Sequence, residues 1–339
     1  MSLVEVVFPV CKSGSVTELS LILNATENPK TWTDCISKCG DNPLHIAARY
    51  GRIDLLKYMI DHWNAAAYVN QCNRLGKTPL HEAAQASQPS AVQFLLEHGA
   101  DTDILKGSDW TPLMLASTKK GCHAQKCVKI LLENHADRFL RNKDGWTALH
   151  VAAKYGDVEI TKILLDGQPL LANVKSNNGR YPLHVAALNG HEDIVHLLLD
   201  TNATLVSSCD DCGSTPLLEA CKGGNLCIIQ HLLRCGASSS EADAMGLTCL
   251  HLAAQTGNSL TIQFLRDNKL ISDINIPAKF MNVTPLHCAA RAGQLEAVRI
   301  LLQMGADTRS IDINGRCAYD MTNDRANGKA VRDLLTQYQ

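Results

Sequence analysis

The sequence predicts an all-α chain built as a solenoid of helix–turn–helix units, with projecting turns and a degenerate cap at each end. Three observations carry this. A motif close to G-x-T-P-L-H-x-A-A recurs along the chain, its leucine returns at a nearly constant interval, and an apolar stripe of helical period follows each copy. Such a unit has two short helices and nothing of its own to bury them against, so it is stable only beside copies of itself.

The stretch Asn142–Leu165 contains one complete unit. Gly145 permits a tight turn that a side chain would resist. Thr147 stands where an N-cap belongs, and Ala148 after it is proline in most sister copies, which suits the first helical residue. Ala152 and Ala153 are small enough for a neighbouring helix to approach closely, and Gly156 ends the helix. Ile160, Ile163 and Leu164 recur at helical spacing and predict a returning second helix with one apolar face.

Copies begin at Gly40, Gly76, Asp109, Gly145, Gly179, Gly213, Gly246 and Asn282. Their leucines are Leu44, Leu80, Leu113, Leu149, Leu183, Leu217, Leu250 and Leu286, at spacings of 36, 33, 36, 34, 34, 33 and 36 residues. Before them, Met1–Thr33 reads as a degenerate unit, with Lys12–Ser15 as its turn and Val16–Leu23 as its second helix, and Thr31–Cys39 as a loop. Extra residues are expected at Lys119–Lys126, in a polar connector over Asp166–Asn178, and at Leu270–Lys279. Tyr319 stands 33 residues after Leu286 and marks a ninth, degraded copy, whose last helix buries Val331, Leu334 and Leu335. The expected organisation is one array: a cap over 1–38, eight clear repeats over 40–308 and a capping repeat over 309–339.

Period, T-P-L-H-x-A signature and turn-plus-two-helix pattern resemble the ankyrin repeat family. The resemblance implies turns that project like fingers and, with the first helices, line a concave groove for a protein partner. It implies a noncatalytic adaptor without cofactor, expected to act as a monomer.

Composition agrees with a folded chain that is neither a nucleic-acid nor a membrane binder. Apolar residues make up 45%, and 32 basic against 34 acidic residues leave a net charge of −2, without the basic excess that phosphate backbones or anionic lipids select. The apolar run Val4–Val10 is interrupted by Glu5 and has no basic segment before it, so no signal peptide is expected. The 14 cysteines are scattered, as for reduced thiols, and the expected location is cytoplasm and nucleus.

The residues that carry chemistry elsewhere are explained by the repeat. His45, His81, His150, His184, His251 and His287 lie at helix starts, one repeat apart, which suits bonds to backbone groups and not a metal cluster. His191 and His196 are five residues apart, off the four-residue spacing of a zinc-protease helix. Cys209 and Cys212 have ligand spacing, yet a second pair would have to come from Cys221 or Cys227 on helices, so no metal is expected. No nucleophile has a base at motif spacing, so no catalytic residue is assigned.

The surface remains. Lys106, Asp109 and Trp110 form one finger, and Lys143, Asp144 and Trp146 the next, with the two tryptophans 36 residues apart. Tyr181 is placed at the corresponding position of the following copy, and Lys154 and Tyr155 extend the face. These rings either pack between adjacent turns or form a row of aromatic anchors framed by charge. The finger residues further resemble ankyrin-repeat co-regulators of alanyl-tRNA synthetase. That likeness implies binding to this enzyme and limitation of serine misincorporation, with misactivated serine accepted on lysines; by motif match these are Lys106, Lys143 and Lys175. The alternative is a scaffold for another cytosolic or nuclear protein.

Overall fold

The computed structural model describes residues 3–24, 35–322 and 326–338. Among these, nineteen α-helices alternate with turns, and the only extended pairing is two isolated bridges, Lys106 with Trp110 and Ala242 with Thr248. Contacts cluster into two units, Met1–Ser176 and Asn177–Gln339.

The first unit holds α1 (Leu3–Ser13), α2 (Val16–Asn24), α3 (Pro43–Arg49), α4 (Ile53–Trp63), α5 (Pro79–Gln85), α6 (Pro89–Glu97), α7 (Pro112–Ala116), α8 (Cys122–Glu133), α9 (Ala148–Tyr155) and α10 (Val158–Leu165). The short helices α3, α5 and α7 start on a capping residue followed by proline. Asn42 Oδ1 accepts the His45 N–H at 3.1 Å, and Thr111 Oγ1 accepts the Met114 N–H at 3.2 Å. In α9 the stop is Gly156, at φ +79°, whose N–H bonds Ala152 O at 2.8 Å. Leu44, Leu80, Leu113 and Leu149 are fully buried, as are the small pairs Ala47–Ala48, Ala83–Ala84 and Ala152–Ala153. Each such leucine contributes about 1.5–3 kcal/mol by leaving water, while the alanines set the close spacing of α3, α5, α7 and α9.

The second unit repeats the plan in α11 (Pro182–Asn189), α12 (Glu192–Thr201), α13 (Pro216–Gly223), α14 (Leu226–Arg234), α15 (Cys249–Thr256), α16 (Ser259–Asp267), α17 (Pro285–Ala292), α18 (Leu295–Gln303) and α19 (Ala326–Thr336). Its motif leucines Leu183, Leu217, Leu250 and Leu286 are buried. The stripe expected of the last helix is present, with Val331, Leu334 and Leu335 buried in α19.

Several local expectations need correction. Tyr319 does not fill the leucine slot of a ninth copy: residues 318–321 form turns, the ring is 38% exposed, and Ala318 and Met321 are buried instead. The residues Lys119–Lys126 are not all loop, because α8 begins at Cys122 and only Ser117–Gly121 separate it from α7. The connector after α10 contains a 3₁₀ turn, Pro169–Asn173, that buries Leu171 and Ala172, so an apolar pair was hidden in a polar stretch. Part of the N-terminal cap, including Thr31–Asp34 of the expected loop, and residues 323–325 of the C-terminal one lie outside the described residues. No described helix is long and apolar enough to cross a membrane.

Candidate protein-binding surface

Several of the fingers are built by one short polar residue. Asn142 Oδ1 accepts the N–H of Asp144 at 3.0 Å and of Trp146 at 2.8 Å, its own N–H bonds Trp146 O at 2.9 Å, and its carbonyl accepts the Gly145 N–H at 2.8 Å. Asn73 does the same in the first unit, and Asp210, Asp243 and Asp312 in the second. Neighbouring fingers are joined main chain to main chain, by Gly107 N–H to Leu75 O and Lys143 N–H to Ser108 O, both 3.1 Å, and by Ala244 N–H to Cys212 O at 2.8 Å.

The motif histidines are ties, not ligands. His81 Nε2 lies 3.1 Å from Trp110 O in the next finger, and His45, His184, His251 and His287 make equivalent bonds to Lys77, Ser214, Val283 and Arg316 carbonyls. A carbonyl only accepts, so Nε2 carries the hydrogen, and Nδ1 accepts the capping residue's N–H, at 3.1 Å in Thr78–His81. Burial disfavours the imidazolium, which pushes His81 and His184 down to about 4. Among the described residues, no group of three or more His, Cys, Asp or Glu is arranged around a common point for a metal, and Cys209 and Cys212 are exposed in a finger.

Charged residues that look available in the sequence are partly spent inside the array. Arg49 bonds Asp41 at 3.0 Å and Glu82 at 2.8 Å, and Lys77 reaches the other Glu82 oxygen at 3.2 Å. Arg180 repeats the device in the second unit, between Asp210 and Glu219. Burial alone would raise the Glu82 carboxyl, but Arg49 and Lys77 outweigh it and hold it below the usual range.

The finger residues fall into distinct positions. Trp110 and Trp146 each stand directly before an N-cap threonine, so they are equivalent. Tyr181 is not their counterpart: it is itself the residue at the N-cap of α11, where Thr147 stands in α9, and Arg180 takes the tryptophan position. Both Trp146 and Tyr181 stack on a histidine of their own repeat, Trp146 on His150 at 5.9 Å between centroids and Tyr181 on His184 at 5.8 Å. Lys154 Nζ lies 5.5 Å from the Trp146 ring centroid and 5.9 Å from that of Tyr155. Lys106 and Lys143 are not equivalent either. Lys106 occupies the slot that Asn142 fills in the next finger, and Lys143 corresponds to Gly107. Lacking that side-chain acceptor, the Lys106 finger turns through Ser108 at φ +67° and Asp109 at φ +60°, a region that favours glycine. Lys143, Asp144 and Lys175 are exposed, and Asp109 is half-buried.

One recess of about 280 Å³ collects part of the predicted set. Lys106 and Trp110 of the finger line it, with Gln85 from the end of α5, Leu115 of α7, Lys119 just beyond α7 and Tyr155 at the end of α9. Lys106 Nζ is 5.5 Å from the Trp110 ring centroid, and its ammonium is held below its ordinary pKa by burial first and then by the charge of Lys77. Trp146 and Lys154 flank the recess without lining it. Gln85, Leu115 and Lys119 were not anticipated. The one available signal was that first-helix ends share the finger face, so a residue such as Lys119, three positions after the end of α7, falls there.

Comparison with known proteins agrees with this architecture. The family model described as ankyrin repeats (3 copies) matches residues 10–106, 67–138, 113–208, 168–243 and 217–312. The chain is 32% identical over 87 residues to the B-cell lymphoma 3 protein homolog of Mus musculus, covering 25% of this chain and 19% of that protein. It is 34% identical over 113 residues to NF-kappa-B inhibitor zeta of Homo sapiens, covering 32% and 16%, and 35% identical over 91 residues to the ARF GTPase-activating protein GIT1 of Homo sapiens, covering 26% and 12%. The chain thus spans less than a fifth of the length of each of these relatives. With the family model matching well over half of its length, and with tied fingers and paired helices recurring through both units, this chain belongs to the ankyrin repeat family.

Proposed function

We propose that the chain is a noncatalytic protein-binding scaffold whose gripping surface is the finger and first-helix face of the first unit. The observation that carries this is the recess in which Lys106, Trp110 and Tyr155 meet, while the repeat histidines and the acids Asp41 and Glu82 are consumed by the fold. Half-exposed aromatic rings beside charge supply large contact area at small entropy cost, as binding hot spots do. Trp110, Trp146, Lys154 and Tyr155 are the anchors, with Lys106, Lys143, Asp109 and Asp144 on the rim; Tyr181, at the N-cap of α11, is a separate aromatic contact in the second unit. Replacing Trp110 and Trp146 together by alanine is expected to leave far-UV circular dichroism unchanged and to cut capture of the partner at least about tenfold. Full capture by the folded variant would refute the assignment.

The partner we propose is alanyl-tRNA synthetase, on the likeness of the fingers to ankyrin-repeat co-regulators of that enzyme. Lys106, Lys143 and Lys175 would accept misactivated serine. The unprotonated Nζ attacks the carbonyl carbon of seryl-adenylate, the new N–C bond replaces the C–O bond, AMP leaves with its electron pair and water takes the surplus proton. Partial burial supports Lys106 in this role, since it increases the unprotonated fraction at neutral pH. Incubation with synthetase, ATP and serine is expected to give a serine adduct at Lys106, read by peptide mass spectrometry. Lys106, Lys143 and Lys175 all unmodified under conditions that form the adenylate would rule out the acceptor chemistry and leave the scaffold reading standing.

A further inference from the structure

The recess has a chemical bias that the scaffold reading by itself does not specify. None of the residues lining it is acidic, and two are lysines, Lys106 and Lys119. Neither takes part in an ion pair among the described residues. A third lysine, Lys77, stands behind them with its Nζ 2.5 Å from Gln85 Oε1, and a fourth, Lys154, sits by the Tyr155 ring. The carboxylate whose charge acts on Lys106, Glu82, is 3% exposed and already held by Arg49 and Lys77. The lining also offers apolar and aromatic surface, from Trp110, Leu115 and the 39%-exposed Tyr155. At about 280 Å³ the space is large enough for an anchoring side chain.

We infer that this recess receives an acidic anchor from the partner: an Asp or Glu carboxylate between Lys106 and Lys119, with an adjacent aliphatic side chain against Trp110 and Tyr155. The inference rests on the reading of this face as the gripping surface, and it adds which chemistry is gripped. A basic segment is disfavoured because it would meet the like charges of Lys106 and Lys119. Lysine ammonium groups are point charges on flexible stems, which match a single carboxylate without the paired geometry that arginine imposes. Lys77 strengthens the field from behind without entering the recess.

The test uses the full chain and a fluorescein-labelled peptide with blocked ends and the core Glu-Glu-Leu-Glu-Glu, followed by fluorescence anisotropy at low and at physiological salt. Its glutamine counterpart, Gln-Gln-Leu-Gln-Gln, and a uridine oligonucleotide are the competitors. The acidic peptide is expected to bind at least about tenfold more tightly than the glutamine peptide and to weaken with salt. The double variant Lys106→Gln, Lys119→Gln, checked for native circular dichroism, is expected to lose about that tenfold preference. Lys162→Gln, on the exposed part of α10, is expected to keep it. Equal binding of the two peptides, no binding of either, indifference to the double variant, or stronger binding of the oligonucleotide through the same lysines would each overturn the inference. If the peptide fails while the Trp110 and Trp146 substitutions still abolish partner capture, the scaffold reading survives and only the acidic anchor falls.

Discussion

At the scale of the residue, the motif histidine makes two bonds: Nδ1 accepts from its own cap and Nε2–H donates to the next finger. Protonating Nδ1 removes an acceptor and places a charge in a buried site, so the folded array holds these rings neutral. The sign of the pH effect follows. The unfolded chain binds a proton at each histidine below its ordinary value of 6.5, whereas folded His81 and His184 bind one only near 4. Stability is therefore complete above that ordinary value and is lost progressively as pH falls from about 6.5 to about 4. Urea midpoints measured across this window should drop well before Glu82, whose folded value lies below its ordinary 4.5, contributes its share. His81→Ala is expected to cost about 1–3 kcal/mol by stranding the Trp110 carbonyl and the Thr78 N–H, and to flatten part of that pH dependence. The same tie fixes the main chain at Trp110, so this variant should also weaken partner capture, whereas His287→Ala should not.

At the scale of the element, the finger is a tight loop whose glycine does two jobs. Gly246 has φ +83°, and a Cβ there would lie 2.3 Å from the Lys279 backbone nitrogen in the adjoining finger. Gly305, which ends the α18 turn and lies outside the fingers, has φ +87°, and a Cβ there would meet nothing within 4 Å. The pair separates conformational strain from packing. Gly305→Ala should cost about 1 kcal/mol, from the left-handed conformation alone, and Gly246→Ala about 2–4 kcal/mol, because a backbone neighbour must also move. Denaturant titration of the two variants would compare them directly, and equal costs would show that finger-to-finger contact is unimportant. The Lys106 finger departs from this pattern, as does the finger based on Ala278, whose N–H bonds Val283 O at 2.8 Å. Without an Asn or Asp at its base it relies on two non-glycine residues in the left-handed region, Ser108 and Asp109. Its departure from the pattern places a lysine stem where the Asn142, Asp210, Asp243 and Asp312 fingers have a structural acceptor, which is how Lys106 comes to line the recess.

At the scale of the whole molecule, each repeat is stabilised by its neighbours, so a lesion should be felt locally. The last repeat tests this. In the second unit α19 packs on α17 and α18 and buries Val331, Leu334 and Leu335. Removing residues 315–339 is expected to expose that face and to lower hydrogen-exchange protection in α17 and α18, with α11–α13 unchanged. A uniform loss of protection across the second unit would show that it unfolds as a single cooperative body.

How much was legible beforehand differs between fold and surface. The helices, their caps and their buried leucines were readable because helical period, Thr-Pro starts and glycine stops are local, and copies of one unit supply the packing partner without long-range information. Ala318 replacing Tyr319 in the terminal turns, the apolar pair Leu171–Ala172 and the early start of α8 were not, because end and insertion segments lack the repeat's constraints.

Sequence alone therefore determined that this chain stacks helix pairs, and which positions face inward, since period and residue size dictate both. Only the tertiary structure decided which surface charges are spent and which remain. Arg49, Glu82 and Arg180 are paired across repeats, Tyr181 is the N-cap residue beside His184, and Lys106 meets Lys119 and Tyr155 in one recess. Most of these pairings join residues from different repeats, and their distances depend on how each unit leans on the next, which no local pattern encodes.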